Sequence, residues 1–578
     1  MRVTDVFARF LIQAVALGLL PAVSPLPARA GALTAADVEQ IISQGAAEAA
    51  RVGLPVSIAV VDREGNVLGG FRMDGARNFT VIDGKQPECD GTDRNDCGLD
   101  GVRINPLPAS SPFGPLSGSM LAAISKAGTA AFFGTRGNAF TPRTASFIIQ
   151  PHFPPGIKRT ASGPLFGVQF SSLLCSDVNP RLPLGLSADP GAFPLYQAGD
   201  AAGGVGVEGN GRYTFDRDPR DKDTPPEDRI AVAAAHGFAA PKSIRATQIT
   251  LLGIRFPFAN VTGRTRENAP PFSSLSGVVE VPPRDSPSSR FVPFTLGGVP
   301  GEFDPAFFPP IDSIDPPPGD CGTTAPANDC GLTADEVLAL LTQGAREANR
   351  LRAAIRRPLG ARAKVNVAIV DAGGNVLGLF RTEDAPLFGM DVSVQKARTA
   401  ALLSRPDAAE RLLAAPNVKQ FVMNARRDGL RLDGAVALSD RAVGFLSRPF
   451  FPDGIDGTSH GPFSRPIAVW SPFNTGLQVE LVKPAIAAIL AGGAPPDCTG
   501  VPGIENGIQI FGGSVPLYRG SVLVGGAGVS GDGVEQDDAV AVAASRGFQA
   551  PGEIRSDRVK IRNVRLPFIK LPRKPTTR

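Results

Sequence analysis

Apolar and polar positions alternate along Pro55 to Ala76 (PVSIAVVDREGNVLGGFRMDGA), where Val56, Ile58 and Val60 are interleaved with Ser57 and Ala59. A period of two suits a strand with one face in a core. Asp62-Arg63-Glu64-Gly65-Asn66 then supplies the Gly and Asn that tolerate positive φ, and a second run from Val67 to Arg72 completes a predicted β-hairpin. The stretch returns as Lys364 to Pro386 (KVNVAIVDAGGNVLGLFRTEDAP), with Val365, Val367 and Ile369 alternating and Asp371-Ala372-Gly373-Gly374-Asn375 in the turn. The chain is therefore a tandem repeat.

Helical periodicity flanks both hairpins. Thr34 with Asp37 forms a capping pattern ahead of Val38, Ile41, Ile42 and Gly45, and Thr333 with Glu336 does the same ahead of Val337, Leu340, Leu341 and Gly344. Further matches follow in order. Ser125-Lys126-Ala127-Gly128-Thr129-Ala130-Ala131 pairs with Gln395-Lys396-Ala397-Arg398-Thr399-Ala400-Ala401 as a helix, and PHFPPGI from Pro151 pairs with PFFPDGI from Pro449. Pro194-Leu195-Tyr196 with Gly203-Gly204-Val205-Gly206-Val207 matches Pro516-Leu517-Tyr518 with Gly525-Gly526-Ala527-Gly528-Val529, a strand pair whose glycines permit close backbone approach. Glu227-Asp228 and Asp537-Asp538 each open a helix, where acidic residues complement the dipole. An alternating segment ending in Arg-x-Pro-Phe closes each copy at Phe258 and Phe568. Between the copies, 259–331 is Pro-rich without helical periodicity and reads as an extended connection. The resulting division is 1–30, 31–258, 259–331, 332–568 and a tail at 569–578.

Composition adds bounds. At 578 residues the chain exceeds one ordinary core, and 66 Gly with 55 Pro require much loop. The balance of 59 basic and 55 acidic residues leaves no electrostatic footprint for nucleic acid. Arg2 and Arg9, the apolar run Phe10 to Leu20 and Ala28-Arg29-Ala30 fit an export signal cleaved near Gly31, which points to a periplasmic or secreted protein with no membrane span in the mature chain. In that compartment six Cys favour disulfides. Cys89 with Cys97 and Cys321 with Cys330 are the preferred local pairs, leaving Cys175 and Cys498 to join the repeats; spacing alone leaves all fifteen connectivities open.

The order of helix, VDxxGNVLGxFR hairpin, KAxTAA helix, Gly-rich strand pair and acidic-started helix resembles, twice over, the GlcG/HbpS family of haem-binding and haem-degrading proteins. The resemblance implies an α+β fold, two tandem profilin-like α-β-α sandwich domains with central antiparallel sheets and long Pro/Gly-rich loops. It also implies oligomers, so the fused copies are expected to act as an internal pseudo-dimer, itself able to form homo-oligomers. Haem, another tetrapyrrole or a small apolar ligand is the implied partner.

Haem needs an apolar slot, an axial ligand and cations near its propionates. At matched positions the candidates are Arg72, Lys126, Thr129, Arg381, Lys396 and Thr399, although a solvated charge or a packed hydroxyl accounts for each more simply than ligand contact. His152 and His460 are the candidate axial ligands, unpaired because Phe450 replaces His152 in the other copy. No metal site, G-x-S-x-G elbow, P-loop or H-E-x-x-H pattern occurs, so no catalytic residues are assigned and haem degradation rests on the resemblance alone. Asp62 and Asp371 fit the hairpin turn. The readings carried forward are an exported small-molecule-binding protein and, against it, a non-catalytic structural or protein-interaction module whose ancestral pocket is filled by its own loops.

Overall fold

A computed structural model describes residues 31–86, 89, 96–261, 269–319 and 330–573. Residues 1–30, read above as an export signal, Cys321 and the last residues of the tail lie outside them. Each repeat is an α-β-α sandwich around an antiparallel sheet, and the fold class is α+β.

The first repeat opens with α1 (Ala35–Val52), capped by the reciprocal Thr34–Asp37 box. The hairpin β1 (Ser57–Asp62) and β2 (Val67–Met73) follows, then α2 (Gly118–Phe132) and the short α3 (Pro142–Ile148). Strands β3 (Ala192–Gln197) and β4 (Asp200–Glu208) and helix α4 (Pro226–Ala234) complete it. The Pro-rich connection carries β5 (Gly277–Val281), β6 (Val292–Leu296) and β7 (Val299–Phe303). The second repeat has α5 (Ala334–Arg350), β8 (Val365–Asp371), β9 (Val376–Thr382), α6 (Gly389–Leu403), α7 (Asp440–Leu446), α8 (Leu477–Leu490), β10 (Ser514–Arg519), β11 (Val522–Gly531) and α9 (Val534–Ala544).

The sheets run β5-β2-β1-β4-β3 and β6-β7-β9-β8-β11-β10. Both hairpins keep one register, with Ile58 opposite Phe71 and Val367 opposite Phe380, and both carry a bulge just before the turn. Asp62 holds its turn by accepting from the Glu64 and Asn66 amides at 2.8 and 2.9 Å, and Asp371 accepts from Asn375 N at 2.9 Å. These carboxylates serve the turn. In each repeat the first and last helices cover one sheet face and the wholly buried KAxTAA helix, α2 or α6, covers the other.

Glycines set that second contact. A Cβ at Gly204 or Gly206 would stand 2.1 or 2.2 Å from the Ala127 or Ala123 carbonyl oxygen of α2, and at Gly526 or Gly528 it would stand 2.2 or 2.0 Å from those of Ala397 or Ser393 in α6. Only glycine lets the helix backbone lie against the strand.

The connection is built into both sheets. Its β5 pairs with β2, and its β6–β7 hairpin adds to β9. The repeats also share a hydrophobic core, in which Phe133 stacks on Phe388 with ring centroids 4.4 Å apart. Cys175 and Cys498 are bonded across the repeats, Cys89 is bonded to Cys97, and Cys330 is also disulfide-bonded. Among the described residues no helix is long and apolar enough to cross a membrane.

Candidate functional site: two buried lysine clusters

Lys126 projects from α2 at a point with no exposure to solvent. Its ammonium donates to Val207 O at 3.1 Å and faces Asp189 and Glu208 at 2.8 Å each and Glu227 at 3.7 Å. Three parts of the chain converge there: the Pro-rich loop before β3, the end of β4 and the start of α4. Burial alone would lower the lysine pKa, but the three carboxylates hold it well above the ordinary value. Burial, relieved in part by Lys126, pushes Asp189 well up and Glu227 up to about 7. One ammonium offsets one carboxylate, so the remaining negative charge is reduced by retaining a proton. A permanently protonated, enclosed lysine is neither nucleophile nor base.

Lys396 occupies the same place in α6 and is equally enclosed. It donates to Val529 O at 2.8 Å and to Asp537 at 3.1 Å, and its ammonium lies 4.6 Å from the centre of the Phe511 ring. Aligned on the shared PLY segments, Phe511 stands where Asp189 stands and Ser530 where Glu208 stands. The second copy has replaced two carboxylates by a ring face and a hydroxyl, keeping Asp537 at the position of Glu227. Burial pushes Asp537 up to about 7 against the pull of Lys396, and pushes Asp440, at the start of α7, to about 7 as well.

The next acidic residue of each pair serves an arginine. Arg143 on α3 binds Asp228 at 2.7 Å and also Asp216 and Asp223, while Arg441 on α7 binds Asp538. Thr129 donates to Ser125 O at 2.8 Å and accepts from Ser187 N at 2.7 Å; Thr399 donates to Gln395 O at 2.6 Å and accepts from Gln509 N at 3.0 Å. Each hydroxyl ties the incoming loop to the helix.

The hairpin-end arginines are clamped by the connection. Arg72 is bound at 2.8 Å by Glu280 of β5, and Arg381 by Glu302 of β7, with the Ala385 carbonyl and the Phe291 ring completing its surroundings. The structure therefore does not bring the six cationic and hydroxyl candidates together around a slot. His152 lies elsewhere, between the repeats, with Nδ1 2.9 Å from Thr160 O, Nε2 3.4 Å from Asp456 and its ring stacked on Phe450. His460 is partly buried, and its pKa is lowered by burial and by Arg562 and Arg427. A cavity of about 220 Å³ adjoins His152.

The family model described as haem degrading protein HbpS-like matches residues 33–85, 343–446 and 477–546. In those three segments the chain is similar to the HbpS-like family. It carries two diverged copies, and the match reaches Lys396 but not Lys126, whose helix lies outside the matched segments. No curated protein matches its sequence. Three solved structures align with part of this HbpS-like chain. Klebsiella pneumoniae protein ORFY is 16% identical over 37% of this chain and 95% of its own, with a TM-score of 0.20. PduOC in complex with heme is 18% identical over 38% and 97%, with a TM-score of 0.19. A double mutant of Streptomyces reticuli HbpS is 19% identical over 37% and 97%, with a TM-score of 0.18.

Proposed function

We propose that this HbpS-like chain is a non-catalytic structural or interaction module in which both inherited candidate sites are filled from within. The observation that carries this reading is the enclosure of Lys126 and Lys396, each with its donors committed to the protein's own carboxylates and carbonyls. A propionate reaching either lysine would have to displace a buried carboxylate already at contact distance, exchanging one ion pair for another and desolvating the ligand as well. The division into repeats at 31–258 and 332–568, joined by 259–331, belongs to the same reading. The connection works as a strap between two sandwiches, and the pair is an internal pseudo-dimer. Export to the periplasm or the medium accords with the disulfides, which persist in oxidising compartments.

The family description favours a second reading, a bound haem or other tetrapyrrole held by one or both copies. Titration of the disulfide-bonded protein with haem, followed by absorbance, separates the two. The module reading expects no saturable spectral change. A saturable change at one or two haems per chain, reduced by substitution of Lys126, Lys396, His152 or His460, would overturn it.

A further inference from the structure

The cavity beside His152 lies across the pseudo-dimer, with Gln86, Gln150, His152, Phe215 and Arg217 from the first repeat and Trp470 from the second in its lining. At about 220 Å³ it holds roughly seven waters at ~30 Å³ each and falls below the ~300–1,000 Å³ that receive drug-sized ligands. Its occupant must be small. Phe215 and Trp470 are nearly wholly buried and give it an aromatic wall, the indole being held by a stack on Phe166 at 5.0 Å.

Charge in the cavity is one-sided. Among the described residues no carboxylate lines it. Arg217 donates to two neutral oxygens, Lys85 O and Gln86 Oε1, and forms no ion pair within contact distance there. Gln86 in turn donates to the Trp470 backbone carbonyl, so the Arg217 network reaches across to the second repeat. Other charges nearby have partners: Arg220 pairs with Asp218, Asp456 with His152 and the Arg159 amide, and buried Asp100, whose carboxylate Arg217 attracts from beyond contact distance, accepts from Ser471. A guanidinium that has no carboxylate at contact distance among the described residues, set at an aromatic cavity, fits a carboxylate carried on a ring.

The equivalent place in the second repeat is closed. Arg448 stands at the position of Gln150 and Phe450 at that of His152. The Arg448 guanidinium is buried over the Phe166 ring at 4.1 Å and lies 3.6 Å from Asp453, occupying its own half of the interface. The first-repeat side keeps the shorter, neutral Gln150, which lines the cavity.

We propose that this cavity binds a small aromatic carboxylate, its ring against Trp470 and Phe215 and its carboxylate on Arg217. The site is independent of the lysine clusters.

Trp470 is the chain's only tryptophan, so its emission reports this place alone. The intact disulfide-bonded protein is titrated with benzoate and, separately, with uncharged benzyl alcohol, with calorimetry as a second readout. The expected result is a saturable change in emission with benzoate, at least about tenfold weaker binding of benzyl alcohol, and a similar loss for benzoate in Arg217→Gln, since a charge-assisted hydrogen bond contributes about that factor. Arg217 is exposed, and an unchanged thermal transition verifies that the variant folds. Gln150→Arg, which copies the closed side, is expected to abolish the response. Absence of saturable binding by both readouts, equal binding of the alcohol, or undiminished binding by Arg217→Gln would each overturn the proposal.

Discussion

The two lysine sites share a helix, a strand register and a backbone carbonyl acceptor, yet they neutralise their charge differently. Lys126 stands among three carboxylates; Lys396 stands between one carboxylate and a phenyl ring. The first copy sets three carboxylates against its ammonium, and the second sets Asp537 there with the buried Asp440 farther off. An enclosed ammonium can be satisfied by ion pairs or by a carbonyl with a ring face, and the fold tolerates either because the glycine strand and pressed helix beneath are common to both. The clusters behave as alternative fillings of one structural position.

The largest separation between the copies should come from removing the cation. Lys126→Met leaves three buried carboxylates and is expected to cost about 5 kcal/mol in urea unfolding at pH 8, against about half that for Lys396→Met. The Lys126→Met deficit should shrink as pH falls and the stranded carboxylates protonate. Equal costs for the two variants would show that the extra carboxylates of the first copy do not depend on the lysine.

The disulfides give the next contrast. Cys175–Cys498 closes a sequence separation of 323 and Cys89–Cys97 one of 8. Loop entropy makes removal of the former by Cys175→Ser with Cys498→Ser cost about 6 kcal/mol, and removal of the latter about 2.5. Differential scanning calorimetry of the two double variants, compared with the parent, measures both. The inter-repeat pair should also be the one whose loss uncouples the unfolding of the two sandwiches.

A smaller contrast lies in the strap. Arg381 is 1% exposed and Arg72 24%, while Glu280 also accepts from Ser117 N and Oγ, so Glu302→Gln should cost about 3 kcal/mol and Glu280→Gln about 2. Denaturant midpoints decide it. Similar values would mean that the connection grips both sheets equally.

A further contrast is in the pH profile. Glu227 and Asp537 titrate at about 7 in the folded protein, above reference values of 4.5 and 3.8. Between those limits the folded state binds more protons than the unfolded state, so their contribution is fully present below about pH 4 and is lost as pH rises through 7. Thermal unfolding should therefore occur at higher temperature at pH 5 than at pH 8. Glu227→Gln should flatten that difference more than Asp537→Asn does, because it also removes repulsion with Asp189 and Glu208.

Much of this fold was legible in local pattern. The period of two located both hairpins, Thr34 and Thr333 located the helix starts, and Gly203 to Val207 announced the close helix–strand contact. The lysine and threonine positions were legible as a repeated set, but their partners were not. Asp189 lies in a Pro-rich loop without periodicity, and Glu208 ends a strand whose register is fixed only by pairing with β1. Glu227 and Asp537 could be read as helix-start acids, a local role that masked their use by a lysine far away in sequence. The connection misled in a different way. Pro and Gly mark it as extended, and short edge strands are extended too, so Glu280 and Glu302 gain meaning only once β5 and β7 meet the hairpins. Trp470 could be singled out as the sole indole, but its place opposite Arg217 depends on contact between repeats.

The central claim is that both lysines are closed off and neutralised inside the protein, and reductive methylation of the native chain followed by peptide mass spectrometry tests it without any ligand. The account predicts that exposed Lys158 and Lys242 are modified fully while Lys126 and Lys396 stay unmodified until the protein is unfolded. Modification of Lys126 or Lys396 in the native state at the rate of those exposed lysines would contradict it, and would reopen both positions to an external ligand.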